Sequence, residues 1–184
     1  MTPTELLQTA HDVLDKESKA LELLANSQDD SFVSAVNIIN QTKGRVIVTG
    51  MGKSGHVGRK IAASLSSLGT TAYFVHPGEA SHGDLGMIEP ADVVLALSNS
   101  GEAPELSDII AFCRRFDIKL IGMTARRDST LGRQSDVVLC LPPVEEACPF
   151  GMAPTTSTTL MMAWGDALAI ALLKMHHFSK DQYK

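Results

Sequence analysis

Cysteine, aromatic side chains and excess positive charge are all scarce in this 184-residue sequence. The three cysteines, Cys113, Cys140 and Cys148, are odd in number and form no C-x-x-C. That argues against a disulfide framework and a zinc ribbon, and suits a reducing cytoplasm. Acidic residues outnumber basic ones by 21 to 16, giving a net charge of -5. A surface that grips nucleic acid through excess basic charge is therefore not expected. A small anionic ligand remains compatible, because a few local donors decide its binding. No uncharged apolar run reaches membrane-spanning length. The first residues, MTPTELLQTAHDVLDKE, place acids where a signal peptide carries a basic region and an apolar core. We expect a cytoplasmic protein with no membrane and no nucleic-acid partner. Hydrophobic residues at 44% and charged residues at 20% are ordinary for a soluble globular chain, and the length fits one domain over 1–184.

What is present is a change of rhythm. Residues 4–25 carry apolar positions at helical spacing, among them Leu6, Leu7, Ala10, Val13, Leu14, Leu21 and Leu24. A second helical stretch runs from Phe32 to Ile39, with Asp30 or Ser31 as its expected N-cap. Short β-branched runs then alternate with helices: RVIVT before Ser54 to Leu68; TAYFV; DVVLAL before Pro104 to Phe116; KLIGMT; DVVLCL before Thr156 to Leu173. The strands read as continuous apolar runs, the mark of strands buried on both faces. This predicts an α/β fold: a doubly wound, flavodoxin-like, five-stranded parallel sheet flanked by helices. In such sheets ligands sit beyond the carboxyl ends of the strands, where strand order reverses.

The first strand ends in VIVTGMGKSGHVG, with Gly50, Gly52 and Gly55 in a G-x-G-x-x-G pattern. A dinucleotide site also demands an acid at the end of the second strand. That strand ends at Phe74-Val75-His76, and the nearest acid, Glu79, lies past Pro77-Gly78. A triphosphate loop demands a glycine five positions before Gly52, where Ile47 stands. Both readings fail. What remains is a sharp turn into a helix whose free N–H groups, with Lys53 and Ser54, suit an anion. The third strand leaves through Ser98-Asn99-Ser100-Gly101 in the same way, and Thr155-Thr156-Ser157 opens the last helix. Each cluster could serve as a helix cap; three together point to a small phosphorylated molecule.

In this order, GMGKSGHVGRK, FVHPGEASHGDLGM, SNSGE and EACPFGMAPTTSTT resemble the sugar isomerase (SIS) domain, and within it the D-arabinose-5-phosphate isomerases. The resemblance covers about Leu21 to Leu173, in a short form without the pair of CBS domains that often follows. It implies interconversion of D-arabinose 5-phosphate and D-ribulose 5-phosphate, which supplies Kdo for lipopolysaccharide or capsule. It implies catalytic roles for Lys53, Glu105, Glu146 and His82. It implies substrate contacts from Gly52, Ser54, His76, Ser98, Asn99, Ser100, Glu102, Thr155, Thr156 and Ser157. A further family histidine follows the last helix; here His176 and His177 come earlier, before FSKDQYK. Either the chain is truncated or that role is filled differently.

Aldose–ketose isomerisation moves one proton between C1 and C2 and a second between their oxygens, through an enediol. It needs a base, a carbonyl polariser and a phosphate handle, and no cofactor. Glu105, expected in a first helical turn, suits either a base or a cap. Lys53 suits either a carbonyl or a phosphate; His82 suits ring opening or proton shuttling. His76, Glu79, His82 and Asp84 could each ligate zinc, but their spacing fits no standard site, and no metal is expected. Met161, Met162 and Trp164 read as core or subunit interface, and the cysteines as buried and inert. The apolar face of the first helix predicts a homo-oligomer, a dimer or tetramer with sites near subunit interfaces. SIS domains of some regulators bind sugar phosphates without turnover. The carboxylates, which repel phosphate, favour the enzyme.

Overall fold

The computed structural model describes residues 1–177. Five strands form one sheet: β1 (Val46–Gly50), β2 (Ala72–Phe74), β3 (Val93–Leu97), β4 (Lys119–Thr124) and β5 (Val137–Cys140). All pairings are parallel, in the order β2-β1-β3-β4-β5. This is the doubly wound sheet that the apolar runs predict. The order reverses between β1 and β3, so their outgoing loops diverge from one point.

The helices are α1 (Pro3–Asn26), α2 (Asp30–Gln41), α3 (Gly52–Ser67), α4 (Pro77–Ala80), α5 (Ser107–Arg115), α6 (Thr130–Gln134) and α7 (Thr156–Met175). Side chains alternate across each strand, so the central strands β1, β3 and β4 feed two cores. Val46, Val48, Leu95, Leu97, Met123 and Leu139 face α2, α3, α7 and the end of α1. Ile47, Val94, Ala96 and Leu120 face α4, α5 and α6. Trp164 and Met161 of α7 are core residues, and Trp164 stacks on Phe32 with ring centroids 5.2 Å apart.

Several boundaries differ from expectation. Asp29, rather than Asp30 or Ser31, caps α2 by accepting from the Ser31 N–H at 2.9 Å. The four-residue α4 was not predicted, being too short to show periodicity. The expected helix Pro104–Phe116 is split into a 3-10 turn, Pro104–Leu106, and α5. Among the described residues α7 alone is long and apolar enough to cross a membrane, with mean hydropathy 1.3 over its window. Half of that window is buried against the sheet, which makes it a core helix here.

Candidate active site

The switch point brings the β1 and β3 loops together, since Gly50 pairs with Leu97 at the strand ends. Helix α3 starts at Gly52, earlier than the expected start near Ser54, so Lys53 and Ser54 lie in its first turn. Gly52 adopts φ +58°, a left-handed conformation that favours glycine. A Cβ on Gly55 would collide with the carbonyl of Gly50, so strand and helix approach as closely as backbone allows. Met51 gives α3 no side-chain cap, which leaves its positive end for an incoming anion. Lys53 is exposed, and Ser54 half-buried.

The β3 loop is internally braced. Ser98 is buried, and its hydroxyl accepts from the Gly101 N–H at 3.1 Å. The Ser100 hydroxyl accepts from the Glu102 N–H at 3.2 Å. Asn99 keeps its side chain exposed while its carbonyl accepts from the Ala125 N–H at 3.0 Å. Glu102, expected to touch substrate, instead accepts from the Thr130 N–H at 2.9 Å and caps α6. Hydrogen bonds from Thr130 hold its carboxyl below the usual range. Glu105 sits half-buried in the 3-10 turn rather than in the first turn of a full α-helix.

Glu146 is the most firmly held of the candidates. It lies in the loop after β5, and its Oε2 accepts from the Thr155 N–H at 2.7 Å, the Thr155 hydroxyl at 3.0 Å and the Ser157 N–H at 3.2 Å. Burial pushes its carboxyl up, but the hydrogen bonds from Ser157 and Thr155 outweigh this and hold it below the usual range. A cavity of about 560 Å³ opens beside it, lined by Asn99, Glu145, Glu146, Cys148 and Lys16. The loop thus carries Glu146 back across the sheet edge to the β3 loop. Sequence reasoning missed Lys16, whose Nζ lies 3.2 Å from the Glu145 carboxylate and 3.4 Å from the Glu146 carbonyl. Nothing in the sequence separates it from Lys19, which pairs with Asp15.

Other expected residues fall elsewhere. Thr156 is fully buried, so its hydroxyl is out of reach of a ligand in this conformation. His76 caps α4, its Nδ1 accepting from the Gly78 N–H at 3.2 Å. His82 is exposed in the turn after α4. Both histidines follow β2, at the opposite edge of the sheet from β5, and neither lines the Glu146 cavity. His176 lies at the far end of α7, about 30 Å from Thr155 at 1.5 Å per residue, and bonds Asn40 at 3.0 Å. The segment FSKDQYK lies outside the described residues. Among the described residues no three His, Cys, Asp or Glu side chains converge as metal ligands. The cysteines are not alike: Cys113 is buried, but Cys140 and Cys148 are only half-buried, and Cys148 lies beside the cavity, which corrects the buried reading for both and the inert reading for Cys148.

The SIS domain family matches residues 38–171. The chain is 50% identical over 176 residues to arabinose 5-phosphate isomerase KdsD of Yersinia pestis, and 48% identical over 183 residues to KdsD of Francisella tularensis. These matches cover 96% and 98% of the chain but 54% and 56% of the relatives. The chain thus spans about half the length of the curated relatives it matches. The Escherichia coli CFT073 protein c3406, solved in complex with arabinose 5-phosphate, superposes with a TM-score of 0.96 at 35% identity, covering 100% of this chain and 97% of that one. With the parallel sheet, the glycine loop at its switch point and these matches in agreement, the chain belongs to the SIS domain family.

Proposed function

We propose that this chain is an aldose–ketose isomerase that interconverts D-arabinose 5-phosphate and D-ribulose 5-phosphate. The observation that carries this reading is Glu146, a carboxylate held ionised at the start of α7 beside an open cavity. A carboxylate beside this cavity repels phosphate, which favours a role in proton transfer over phosphate binding alone. The names of the KdsD relatives and the arabinose 5-phosphate bound to c3406 support the choice of substrate.

The chemistry is balanced within the substrate. A base takes the proton from C2 of the aldose, giving a cis-enediol. That proton returns to C1, while the O2 proton leaves and O1 gains one. We assign proton transfer at carbon to Glu146 and Glu105, polarisation of the carbonyl to Lys53, and ring opening to His82. The uncapped start of α3 with Ser54, and the Ser98–Ser100 loop with Asn99, form the phosphate handle. No metal or cofactor is needed for any step. His82 and Glu146 lie at opposite edges of one sheet, so we propose a homo-oligomer in which a second copy completes each site. Three free thiols fit a cytoplasmic setting, and the product fits supply of Kdo for lipopolysaccharide or capsule.

The test is turnover of D-arabinose 5-phosphate in EDTA, followed as ketopentose phosphate. We expect turnover by the unaltered chain and a loss of about 100- to 10,000-fold in Lys53→Ala and Glu105→Gln. Tight binding of the sugar phosphate without turnover would point to a binding module. Absence of binding would sink the substrate assignment.

A further inference from the structure

We infer that Thr155 is a positioning residue that fixes the Glu146 carboxylate at the start of α7, and that this helix end is a carboxylate socket rather than a phosphate subsite. The inference rests on the proposed isomerase reading for its kinetic consequence, but not for its structural one.

Thr155 is the N-cap residue of α7, yet its hydroxyl makes no capping bond to the helix. An N-cap threonine ordinarily accepts from an N–H one turn inside. Here that work passes to Glu146, which accepts from the N–H groups of Thr155 and Ser157. The freed hydroxyl does two other things. It donates to Glu146 Oε2 at 3.0 Å, and it accepts from the Ala147 N–H at 2.8 Å. Thr155 therefore holds both the carboxylate and the backbone one residue beyond it. Both of its hydrogen-bonding roles are filled, and a phosphate at this place would have to displace a like charge from two amides and a hydroxyl. The sequence expectation that Thr155 and Ser157 grip phosphate is replaced by this arrangement.

The charged groups around the socket are few. From α1, Lys16 reaches the Glu146 carbonyl and the Glu145 carboxylate, and Glu17 accepts from the Thr159 hydroxyl at 3.1 Å. The loop itself contributes Glu145 and Cys148; the β3 loop contributes neutral Asn99, and the first turn of α7 only hydroxyl side chains. With one cation balanced by nearby acids, the fixed N–H and O–H dipoles set the proton affinity of Glu146. Removing the Thr155 hydroxyl removes one of three donors to a charged acceptor. The Glu146 midpoint then rises, and the acid limb of the rate profile moves to higher pH.

The experiment is a carboxyl-carbon NMR titration of the full chain labelled at glutamate, run beside a pH profile of kcat/KM. We expect Thr155→Val to raise the Glu146 midpoint and the acid limb together by about one pH unit. We expect KM for D-arabinose 5-phosphate to change less than about twofold, and Thr155→Ser to restore both pH readouts. Thr155→Ala, read the same way, covers the case in which valine prevents folding. An unmoved midpoint in Thr155→Ala, or a rise in KM and weaker inhibition by inorganic phosphate with unmoved pH readouts, would overturn the inference. The titration does not depend on turnover. An inactive unaltered chain would count against the isomerase reading alone, and a shifted midpoint would still establish the socket.

Discussion

Cys113 and Cys148 show how completely the backbone around a side chain decides its chemistry. Cys113 is buried in α5, and burial pushes its thiol up to about 12. Cys148 lies in a loop whose amides turn towards its sulfur; hydrogen bonds from Ala153 and then Phe150 hold its thiol below the usual range. Iodoacetamide at neutral pH should therefore label Cys148 at least about tenfold faster than Cys113, which should react only on unfolding. Peptide mapping after timed labelling checks this, and equal rates would contradict it. In the sequence the three cysteines look alike, because the loop that distinguishes Cys148 is irregular and carries no periodicity. Gly55 is the opposite case. Its place in the glycine loop was legible, and the structure supplies the reason, the carbonyl of Gly50 where a Cβ would stand. Gly55→Ala should cost about 2 kcal/mol in chemical denaturation, as overpacking against backbone does, with loss of substrate affinity as α3 shifts.

The strands repeat one device at their entrances. DVVL spans the start of β3 and β5 alike, and in both the aspartate just before the strand reaches sideways to the neighbouring strand. Asp92 accepts from the Arg45 N–H at 2.7 Å, and Asp136 from the Leu120 N–H at 2.8 Å. Each also holds an arginine: Arg45 at 2.9 Å and Arg114 at 2.8 Å. Burial pushes both carboxyls up, but these bonds outweigh it and hold both below the usual range. Depressed folded values mean that the stabilisation is present above the unfolded value of about 3.9 and is lost as pH falls through the folded values. Unfolding curves from pH 6 down to pH 2 should steepen in that window, and Asp92→Asn should flatten them. Asp92→Ala should cost about 3 kcal/mol at neutral pH, since it removes the buried carboxylate that accepts from the Arg45 guanidinium and from the N–H groups of Arg45 and Glu89. At this scale the sequence was most readable. Five apolar runs became five strands because strands buried on both faces need no alternation. The helix after β3 was misplaced because Pro104 suits a 3-10 turn as well as the first turn of an α-helix.

For the whole molecule, α1 is the outlying part. Only Ala20 and Leu24 of its 24 residues are buried, while Leu6, Leu7 and Leu14 remain 56%, 73% and 67% exposed. We expect light scattering to report a dimer or tetramer, and Leu7→Glu with Leu14→Glu to shift it towards the monomer while the fold persists by circular dichroism. A monomeric unaltered chain would remove the oligomer from the proposal. The apolar face of α1 was visible in the sequence, but the joining of Glu146 to the β3 loop was not. It depends on how a fourteen-residue loop, Leu141 to Pro154, folds back over the sheet, and loop paths leave little trace in hydrophobic pattern. Helix α7 carries a different consequence. It covers the same face as α3, to the point where a Cβ on Gly165 would meet Ile61. On the ribosome, strands β1 to β5 are therefore made before α7, and the part of this face that α1, α2 and α3 leave open stays uncovered until translation passes Met175. A nascent chain stalled ahead of Thr156 would offer a broad greasy surface to chaperones, so the pace of the last stretch of synthesis bears directly on the yield of folded protein.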